Sequence, residues 1–587
     1  MSNFLGFSLG FNASAAVIDE HGVLAAVSQE RLNGQKNTKE LPIDAMIECC
    51  KIANVKDLIG IAYGHYQVLT WEEIEKYCPA KYYGYMNEVA DREDLNAEEK
   101  LFLMLLNIFG KYDIHICSAR LVRVEHHEAH KFAAFPIYGR EDNRVVITSD
   151  GFGDGYSSSI ELNGVTLSKL NLVNSVALIY QFVTGALGFK MHQHEGKITG
   201  LAAYGEPIYL EEFRCLLYTY NWHIDVDRLD ELEEDELKQV ESSTIIDFDL
   251  FLRLKKTVFR LVNELVYAGA KREDIAATVQ ELAEKLIIRQ IEVNLSSARK
   301  EAEKCVCYLS GGLFANVKIN QRIKELDMFK EVVVVPPMGD EGTAIGSAAH
   351  MMANTHGIDI DWLNGRIEKN YDNVICGSSI ECLSKSDIDK LTKEGYCVQE
   401  YLNEDEMIDK ITDLLADKKI VCFCRGKMEF GPRALCHRSI LYDCTERETN
   451  DWLNKQLGRT EFMPFAPVCI DKFANDLFHN IDVDVDRTAK FMTMTFDGKK
   501  EFRENYKAAC HIDGTARPQI VTKNDGDIFV YKLLEMYYNK TNKKALINTS
   551  FNLHNYPIIK GKKVAIESWK KSNTDALVIN NVIIVKK

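Results

Sequence analysis

The chain has 587 residues, more than the roughly 250–300 at which a single hydrophobic core stops growing, so we expect at least two domains. Its formal net charge of −16 argues against a nonspecific binder of nucleic acid or of membrane surfaces. The first residues lack the charged segment of a secretion signal, and no apolar run approaches the ~20 residues of a membrane span. We therefore expect a soluble cytoplasmic protein.

The 16 cysteines are scattered along the chain and form no CxxC pair. Such a distribution predicts free thiols and no disulfide framework. Cys305 and Cys307, like Cys422 and Cys424, alternate in strand-like runs, which favours buried thiols over zinc ligands.

Two apolar runs near the amino terminus predict the first β-structure. Residues 4–18 contain a turn of small residues, and residues 23–27 follow a tight turn at Gly22. Strand, turn and strand in this order predict a hairpin.

The pentad His126-His127-Glu128-Ala129-His130 follows, and its spacing suits a metal site. His126 and His130 lie four residues apart, so a helix would place both imidazoles on one face, as it does for two ligands of one ion. For an isolated HxxxH, a pair of ordinary surface histidines is the better interpretation. Asp150 favours the metal site, because it ends an apolar run and would be delivered to a site at the end of a buried strand.

The middle of the chain offers one candidate ligand for phosphate. Lys197 lies between glycines in a glycine-rich segment and could neutralise a phosphate. The acidic residues 230–236 predict a solvated face, and we assign them no chemistry. Apolar residues recur at helical spacing over residues 274–295, which predicts a core-packing helix with Asp274 near its N-cap.

Gly311 and Gly312 follow a strand-like run, and Asn316 and Asn320 come shortly after in a predicted helix. Paired glycines at a strand end let backbone amides approach a phosphate, and a helix amino terminus favours an anion. The chain contains no GxxxxGK[ST] segment, so a P-loop site is not indicated.

Asp340 also follows an apolar run and a sharp turn, and so matches Asp150. Two imidazoles and two carboxylates suit a first-row divalent ion such as iron or zinc and require no thiolate. The predicted metal ligands are His126, His130, Asp150 and Asp340.

The pattern becomes polar and irregular over residues 354–377, and there we place the main domain boundary. The predicted domains are residues 1–355, which would bind metal and nucleotide, and residues 375–587. The second domain contains a basic cluster of four cations within fourteen residues: Arg425, Lys427, Arg433 and Arg438. Interleaved glycine, proline and apolar residues favour a packed anion pocket over a solvated basic face.

Together these segments resemble the carbamoyltransferase family that tailors antibiotics, nodulation factors and related natural products, a group that includes cephamycin and tobramycin carbamoyltransferases. The resemblance covers nearly the whole chain and keeps the family's order of motifs. The motifs are HHxAH, the DG loop, GKxxGLAAYG, the GG-N-N segment, DEGTAIGSA, GxMEFGPRAL followed by RSI, DGTARPQ and NTSFN.

The resemblance implies an α/β protein of two domains. The amino-terminal domain would be a duplicated α/β domain of the actin/hexokinase type, similar to the metal- and nucleotide-binding component of the tRNA threonylcarbamoyl machinery. The carboxyl-terminal α/β domain would resemble the YrdC-like partner that handles carbamoyl phosphate in that machinery.

The same resemblance implies ATP-dependent carbamoyl transfer. Carbamoyl phosphate and ATP, the latter with Mg²⁺, would form carbamoyladenylate in the carboxyl-terminal pocket. The adenylate would then move to the amino-terminal site, where Fe²⁺, with Zn²⁺ as the alternative, polarises the carbamoyl group or orients the phosphate. The implied catalytic residues are His126, His130, Asp150, Lys427 and Arg433. The implied cofactor-binding residues are Lys197, Gly311, Gly312, Asn316, Asn320, Arg438, Arg517 and Asn548.

The acceptor pocket would lie near the first hairpin, where Glu30, Arg31 and Lys36 follow the family's ER-x4-K pattern and Asn12 stands in the turn. One departure concerns Phe11, which replaces the histidine of the family's HDASAA segment, a natural base for an acceptor hydroxyl.

Phe11 cannot take a proton. Either another group is the base, with His127 as one candidate, or the acceptor is an amine, or the transfer step has been lost. A second departure is Cys436, which stands where the family usually has glycine and could reshape the phosphate loop.

We therefore predict a carbamoyltransferase that modifies a hydroxyl, or an amine, of a small-molecule or sugar acceptor. The alternatives are another adenylate-dependent acyl or amide transfer and a metal- and nucleotide-binding protein without transfer activity. Net acidity and the fused domains disfavour tRNA as the substrate. The acceptor, the metal and the oligomeric state, including a homodimer, stay open.

Overall fold

The computed structural model describes residues 2–219, 222–241, 243, 245–367, 369–456, 464–484 and 486–586. Within these residues, three large β-sheets carry the fold, two of five strands and one of eight. Two further sheets have two strands each and pair Asp57–Leu58 with His115–Ile116, and Phe496–Asp497 with Thr515–Ala516.

The two five-stranded sheets have the same topology. In each, three antiparallel strands are followed by two parallel ones. The first sheet has, in spatial order, the strands Gly22–Ser28, Ser14–Asp19, Phe4–Ser8, Gly60–Gly64 and Val122–Val124. The second has Val165–Asn171, Tyr156–Leu162, Arg144–Gly153, Val306–Ser310 and Glu331–Val334. This repetition confirms the duplicated α/β fold.

The eight-stranded sheet is mixed and belongs to the carboxyl-terminal part of the chain. Its strands, in spatial order, are Cys397–Glu400, Val582–Val585, Ala576–Ile579, Val421–Cys424, Arg438–Tyr442, Leu546–Ser550, Ala466–Ile470 and Gln519–Val521. The protein is thus α/β in both parts.

Helices cover the sheets. The α-helices before the eight-stranded sheet are Gln29–Asn33, Ile43–Ala53, Trp71–Tyr77, Tyr83–Ala90, Ala97–Gly110, His126–Phe132, Phe135–Tyr138, Val176–Ala186, Glu195–Ala202, Leu210–Leu217, Glu234–Glu241, Phe248–Tyr267, Arg272–Leu295, Arg299–Ala302, Val317–Lys324, Thr343–Ala353 and Lys385–Lys393. Those after its first strand are Glu404–Ala416, Glu448–Gln456, Asp471–Leu477, Lys500–Asn505, Ile528–Thr541 and Lys562–Lys571. None of the described helices is long and apolar enough to cross a membrane.

Local predictions agree with the structure in most places. The hairpin with its turn at Gly22 is confirmed, and so is the absence of disulfides, because all 16 cysteines are free. The long helix is confirmed but begins at Arg272 with Lys271 as N-cap, so Asp274 lies in its first turn. Lys197 lies in the helix Glu195–Ala202.

The carboxyl-terminal part packs directly on the second five-stranded sheet. Arg487 binds Glu331, on the edge strand of that sheet, through Nε at 3.0 Å and Nη2 at 2.7 Å, and donates to the Tyr138 carbonyl. Trp362, Tyr371 and other apolar residues of the segment 357–376 pack with the amino-terminal core. The proposed domain limits at residues 355 and 375 stay a prediction.

Candidate functional site

A helix presents the histidines of the pentad, and a strand presents Asp150. The helix His126–Phe132 begins where the Glu125 carboxylate accepts from the Glu128 amide, and the His126 amide donates to Asp154 Oδ2 at 2.9 Å. The spacing of the pentad places both rings on one helix face, as predicted. Asp150 comes from the irregular end of the strand Arg144–Gly153.

The structure brings the four predicted metal ligands together, with one donor atom of each within 4.8 Å of the others. His130 Nε2 lies 2.9 Å from Asp150 Oδ2 and 3.6 Å from Asp340 Oδ1. The Nε2 atoms of His126 and His130 are only 3.2 Å apart. Both histidines are buried, and the two carboxylates are partly exposed.

The donor set fits a divalent first-row ion. Two imidazole nitrogens that converge in a buried place need a cation or a proton between them, and borderline metals accept nitrogen and carboxylate oxygen together. Burial lowers the pKa of His130, but the hydrogen bonds to Asp150 and Asp340 outweigh it and raise the pKa to about 10. Burial raises the pKa of Asp150, yet the two histidines bring it well below its usual value. The quartet is therefore arranged to hold positive charge.

Glycines allow this arrangement. A Cβ on Gly346 would collide with the Ala129 carbonyl, so the helix Thr343–Ala353 packs close to the histidine helix. Gly311, at φ 114°, lies against the Ser149 backbone, and a Cβ on Gly312 would stand 2.9 Å from Asp150 Oδ1. The predicted nucleotide loop thus borders the metal-ligand quartet.

His127 points to another part of the structure. Its Nδ1 contacts the Thr148 hydroxyl at 2.8 Å, and its Nε2 contacts the Tyr156 carbonyl at 3.2 Å. Burial, followed by the repulsion of His126 and His130, lowers its pKa to about 3. Both ring nitrogens have partners and the ring is buried, so we do not propose His127 as the acceptor base.

Burial is common to three of the predicted nucleotide-binding residues, Lys197, Asn316 and Asn320. Asn316 caps the helix Val317–Lys324 and exchanges hydrogen bonds with Gln280, and Lys197 is buried in its helix. Asn320 is fully buried and donates to the Phe314 and Thr493 carbonyls. Asn320 therefore joins two parts of the chain, and we do not propose it as a nucleotide ligand.

Arg438 differs from its prediction in the same way. Its five N–H groups donate to five backbone carbonyls, those of Ser378, Arg425, Gly426, His437 and Lys560. No donor is left for a phosphate, so Arg438 holds loops together. Asn548 has a related role, because its buried amide donates to the Ala434 carbonyl and to Gln519.

Arg433 and Arg517 are the cations of the carboxyl-terminal part that suit an anion. Burial lowers the pKa of Arg433 to about 10, and burial followed by Arg433 lowers that of Arg517 well below its usual value. Arg433 reaches the Ala315 carbonyl at 3.3 Å, beside the nucleotide loop. No carboxylate among the described residues forms an ion pair with either guanidinium. Lys427, in contrast, is exposed.

A cavity of about 190 Å³ lies between the two parts of the chain. Thr199, Gln280, Glu284 and Lys318 line it from the amino-terminal side, and Phe465, Thr495, His511 and Arg517 from the other. Gln280 and Lys318 were not predicted, because they belong to ordinary amphipathic helices and no motif marks them.

The predicted acceptor residues surround the first hairpin. Glu30 accepts from the Asn37 amide at 2.9 Å, and buried Arg31 donates to the Gly431 carbonyl of the carboxyl-terminal part at 3.1 Å. Asn12 adopts a left-handed conformation at φ 59°, and Lys36 is exposed.

Sequence reasoning missed Glu341, which follows Asp340 and is buried beside the quartet. Burial raises its pKa to about 7, and the Asp340 and Glu30 carboxylates act in the same direction. Its position next to a predicted ligand was the available signal. It also missed His192, whose ring stacks on Phe11 with centroids 4.4 Å apart.

Relatives with similar sequences include proteins of archaea and rhizobia. An uncharacterized protein of Methanocaldococcus jannaschii is 29% identical over 99% of both chains. The nodulation protein NolNO of Sinorhizobium fredii is 25% identical over 98% of this chain and 79% of its own length. Nodulation protein U of Azorhizobium caulinodans is 32% identical over 49% of this chain and 46% of its own length.

Solved structures give weaker similarity. Full-length HypF in its phosphate- and nucleotide-bound form has a TM-score of 0.29 and 14% identity, over 61% of this chain and 56% of that chain. The activator of 2-hydroxyisocaproyl-CoA dehydratase from Clostridium difficile has a TM-score of 0.31 and 11% identity, over 61% of this chain and 99% of that chain.

Family comparison covers both parts of the chain. Residues 4–349 match the carbamoyltransferase N-terminus, and residues 412–586 match the carbamoyltransferase C-terminus. The metal-ligand quartet and the Gly311-Gly312 loop lie in the first match, and Arg433 and Arg517 lie in the second. The protein belongs to the carbamoyltransferase family of enzymes.

Proposed function

We propose that this carbamoyltransferase uses ATP and carbamoyl phosphate to make carbamoyladenylate, and transfers the carbamoyl group to a hydroxyl of a small-molecule or sugar acceptor. The observation that carries the proposal is the contact between Gly312 and Asp150, where a Cβ would stand 2.9 Å from the carboxylate. Because of this contact, a nucleotide phosphate on the glycine loop would be a neighbour of the metal-ligand quartet.

The carboxyl-terminal part supports the first half-reaction. Arg433 lies close enough to Arg517 to add to the effect of burial in lowering the pKa of the Arg517 guanidinium, and a bound phosphate would offset their repulsion. Carbamoyl phosphate would react with water to give carbamate and phosphate. The carbamate oxygen would then attack the α-phosphorus of ATP and displace pyrophosphate. The two arginines would stabilise the negative charge on the transferred and leaving phosphates.

The amino-terminal part supports the second half-reaction. His126, His130, Asp150 and Asp340 would hold the divalent ion, iron in our prediction with zinc as the alternative, and it would supply a Lewis acid at the carbamoyl group or the adenylate phosphate. The Gly312 amide and Lys197 would bind the nucleotide, whereas the Gly311 amide donates to the Met338 carbonyl at 2.8 Å and shapes the loop.

Contacts between the two parts favour an enclosed route for the intermediate. Arg31 and Arg433 each reach across to a carbonyl of the other part, at Gly431 and Ala315. A mixed anhydride that reacts with water benefits from such enclosure. The same contacts support transfer of the intermediate between the two sites of one chain.

The test is incubation of the purified protein with ATP, Mg²⁺ and carbamoyl phosphate, without an acceptor. We expect pyrophosphate release that depends on carbamoyl phosphate, and carbamoyladenylate in the mass spectrum. In a second incubation with an acceptor alcohol added, His126→Ala should still form the adenylate but lose carbamoyl transfer, whereas the exposed surface variant Arg299→Gln should keep both. Absence of adenylate, with fold and metal intact, would contradict the proposal.

A further inference from the structure

The turn that carries His192 has an unusual backbone. His192 adopts φ 64°, in the left-handed region that few residues other than glycine occupy. A non-glycine residue in this region costs of order 1–3 kcal/mol unless its surroundings fix it, and such residues cluster at functional sites. The fold therefore holds an imidazole where glycine would be easier to accommodate.

Three polar contacts fix the residue. The His192 amide donates to Glu195 Oε1 at 2.6 Å, and its carbonyl accepts from the Asn37 side chain at 3.2 Å. The ring atom Nε2 lies 3.0 Å from the Gln181 amide. Asn37 belongs to the segment that carries the predicted acceptor residues, so the turn is attached to that pocket. The orientation of the imidazole is thus set by its neighbours.

The ring lies on the residue that replaces the expected base. His192 and Phe11 stack at 4.4 Å with an angle of 18° between their planes. Lys39 Nζ lies 3.8 Å from the centre of the Phe11 ring. The side chain of His192 is exposed, so a small molecule has access to it.

The charge state also suits a base. Desolvation, followed by the charge of Lys39, lowers the pKa of His192 below its usual 6.5, which favours the neutral imidazole at neutral pH. Asp340 and Asp150 act in the opposite direction, so the ring is within electrostatic reach of the metal-ligand quartet.

We propose that His192 binds the hydroxyl of the acceptor and takes its proton during carbamoyl transfer, in the place left by Phe11. This inference rests on the proposed function. A half-turn of the Gln181 amide presents Oε1 to the N–H of Nε2, and Nδ1 then carries the lone pair. No hydrogen bond to Nδ1 occurs among the residues that the structure describes.

Transfer forms one bond and breaks another at the carbamoyl carbon. The acceptor oxygen forms a bond to the carbamoyl carbon while its proton passes to His192 Nδ1. The bond between the carbamoyl carbon and the bridging oxygen of the anhydride breaks, and AMP leaves with that oxygen and its electron pair. The imidazolium then returns its proton to water.

The test compares two acceptor probes that differ in their need for a base, glycerol and hydroxylamine, each at high concentration with ATP and carbamoyl phosphate. General bases contribute about 10²–10⁴-fold to rate. We expect His192→Ala to lower carbamoylation of glycerol at least a hundredfold and that of hydroxylamine less than fivefold. Pyrophosphate release and metal content should stay within twofold of wild type.

A rescue variant and a control complete the test. Phe11→His in the His192→Ala background should restore glycerol transfer at least tenfold, because it puts an imidazole on the adjacent ring position. His115→Ala, an exposed histidine on another edge of the molecule, should behave as wild type. Unchanged glycerol transfer in His192→Ala, equal losses for both probes, or no rescue by Phe11→His would overturn the role of His192. A wild-type protein without pyrophosphate release would instead contradict the proposed function.

Discussion

Gly153 lies directly beneath the imidazole of His126, where a Cβ would collide with the ring. We expect Gly153→Ala to push His126 out of the quartet and to lower divalent-metal affinity at least tenfold, because one of four ligands is lost. The matched control is Gly151→Ala, whose Cβ would meet only Leu178 at an ordinary 3.6 Å. Metal titration of both variants measures the difference, and equal affinities would contradict the assignment of His126.

Metal affinity should rise with pH. His130 in the metal-free protein has a pKa raised to about 10, so at lower pH a metal ion must displace its proton. Because one proton is displaced, the apparent affinity should rise about tenfold for each unit by which the pH rises toward that pKa. Competition with a chelator of known pH dependence, from about pH 6 to about pH 8, provides the measurement. A flat profile would show that His130 is already neutral.

Loss of Arg517 should affect the first half-reaction alone. Arg517→Gln removes a charged hydrogen-bond donor, worth about 1.5–3 kcal/mol, and so should lower kcat/KM for pyrophosphate release at least tenfold. Metal affinity should not change, because Arg517 lies in the interdomain cavity and is not a member of the quartet. Unchanged pyrophosphate release would exclude Arg517 from the anion site.

Replacement of Cys436 by a β-branched residue should destabilise the protein. Its φ is 72°, and its thiol contacts Gln519 and Asn548 inside the carboxyl-terminal part. Cys436→Val should lower the free energy of unfolding by about 2–3 kcal/mol, since a β-branched residue in this conformation is strained. Cys469→Val, at an equally buried position in the strand Ala466–Ile470, should cost less than about 1 kcal/mol. Urea unfolding of the two variants compares them directly.

The ion pair between Arg487 and Glu331 should hold the two parts of the chain together. Arg487→Met leaves the buried Glu331 carboxylate without its partner and should lower stability by about 3 kcal/mol. Adding Glu331→Gln should recover part of the loss. Arg92→Met, which breaks an exposed pair with Asp94, should change stability by less than about 1 kcal/mol. Thermal unfolding that is equally affected by both arginines would contradict this role.

The sequence allowed the metal-ligand quartet to be predicted because each ligand has a local signature. His126 and His130 share a helix face by spacing alone, and Asp150 and Asp340 follow apolar strands. The role of Arg438 could not be predicted in this way, because a phosphate ligand and a carbonyl-binding arginine look alike in a motif. Its partners at Ser378 and Lys560 lie 60 and 122 residues away.

The role of His192 in the acceptor pocket could not be predicted from the sequence either. Its stacking on Phe11 joins two turns that are far apart in the sequence, and its left-handed backbone depends on Glu195, Asn37 and Gln181 together. No spacing rule connects these residues. The fold duplication, in contrast, was implied by the family resemblance, and the strand pairings of the two sheets confirm it.

The bond between Arg487 and Glu331 also bears on how such enzymes can be recombined. A chimera that takes its carboxyl-terminal part from a relative keeps this connection only where the donor carries an arginine at the position of Arg487. The acceptor edge, the strand Glu331–Val334, stays with the amino-terminal part. A chimera should therefore take both Arg487 and Glu331 from the same relative, so that the contact between the two parts is transferred together with the catalytic residues.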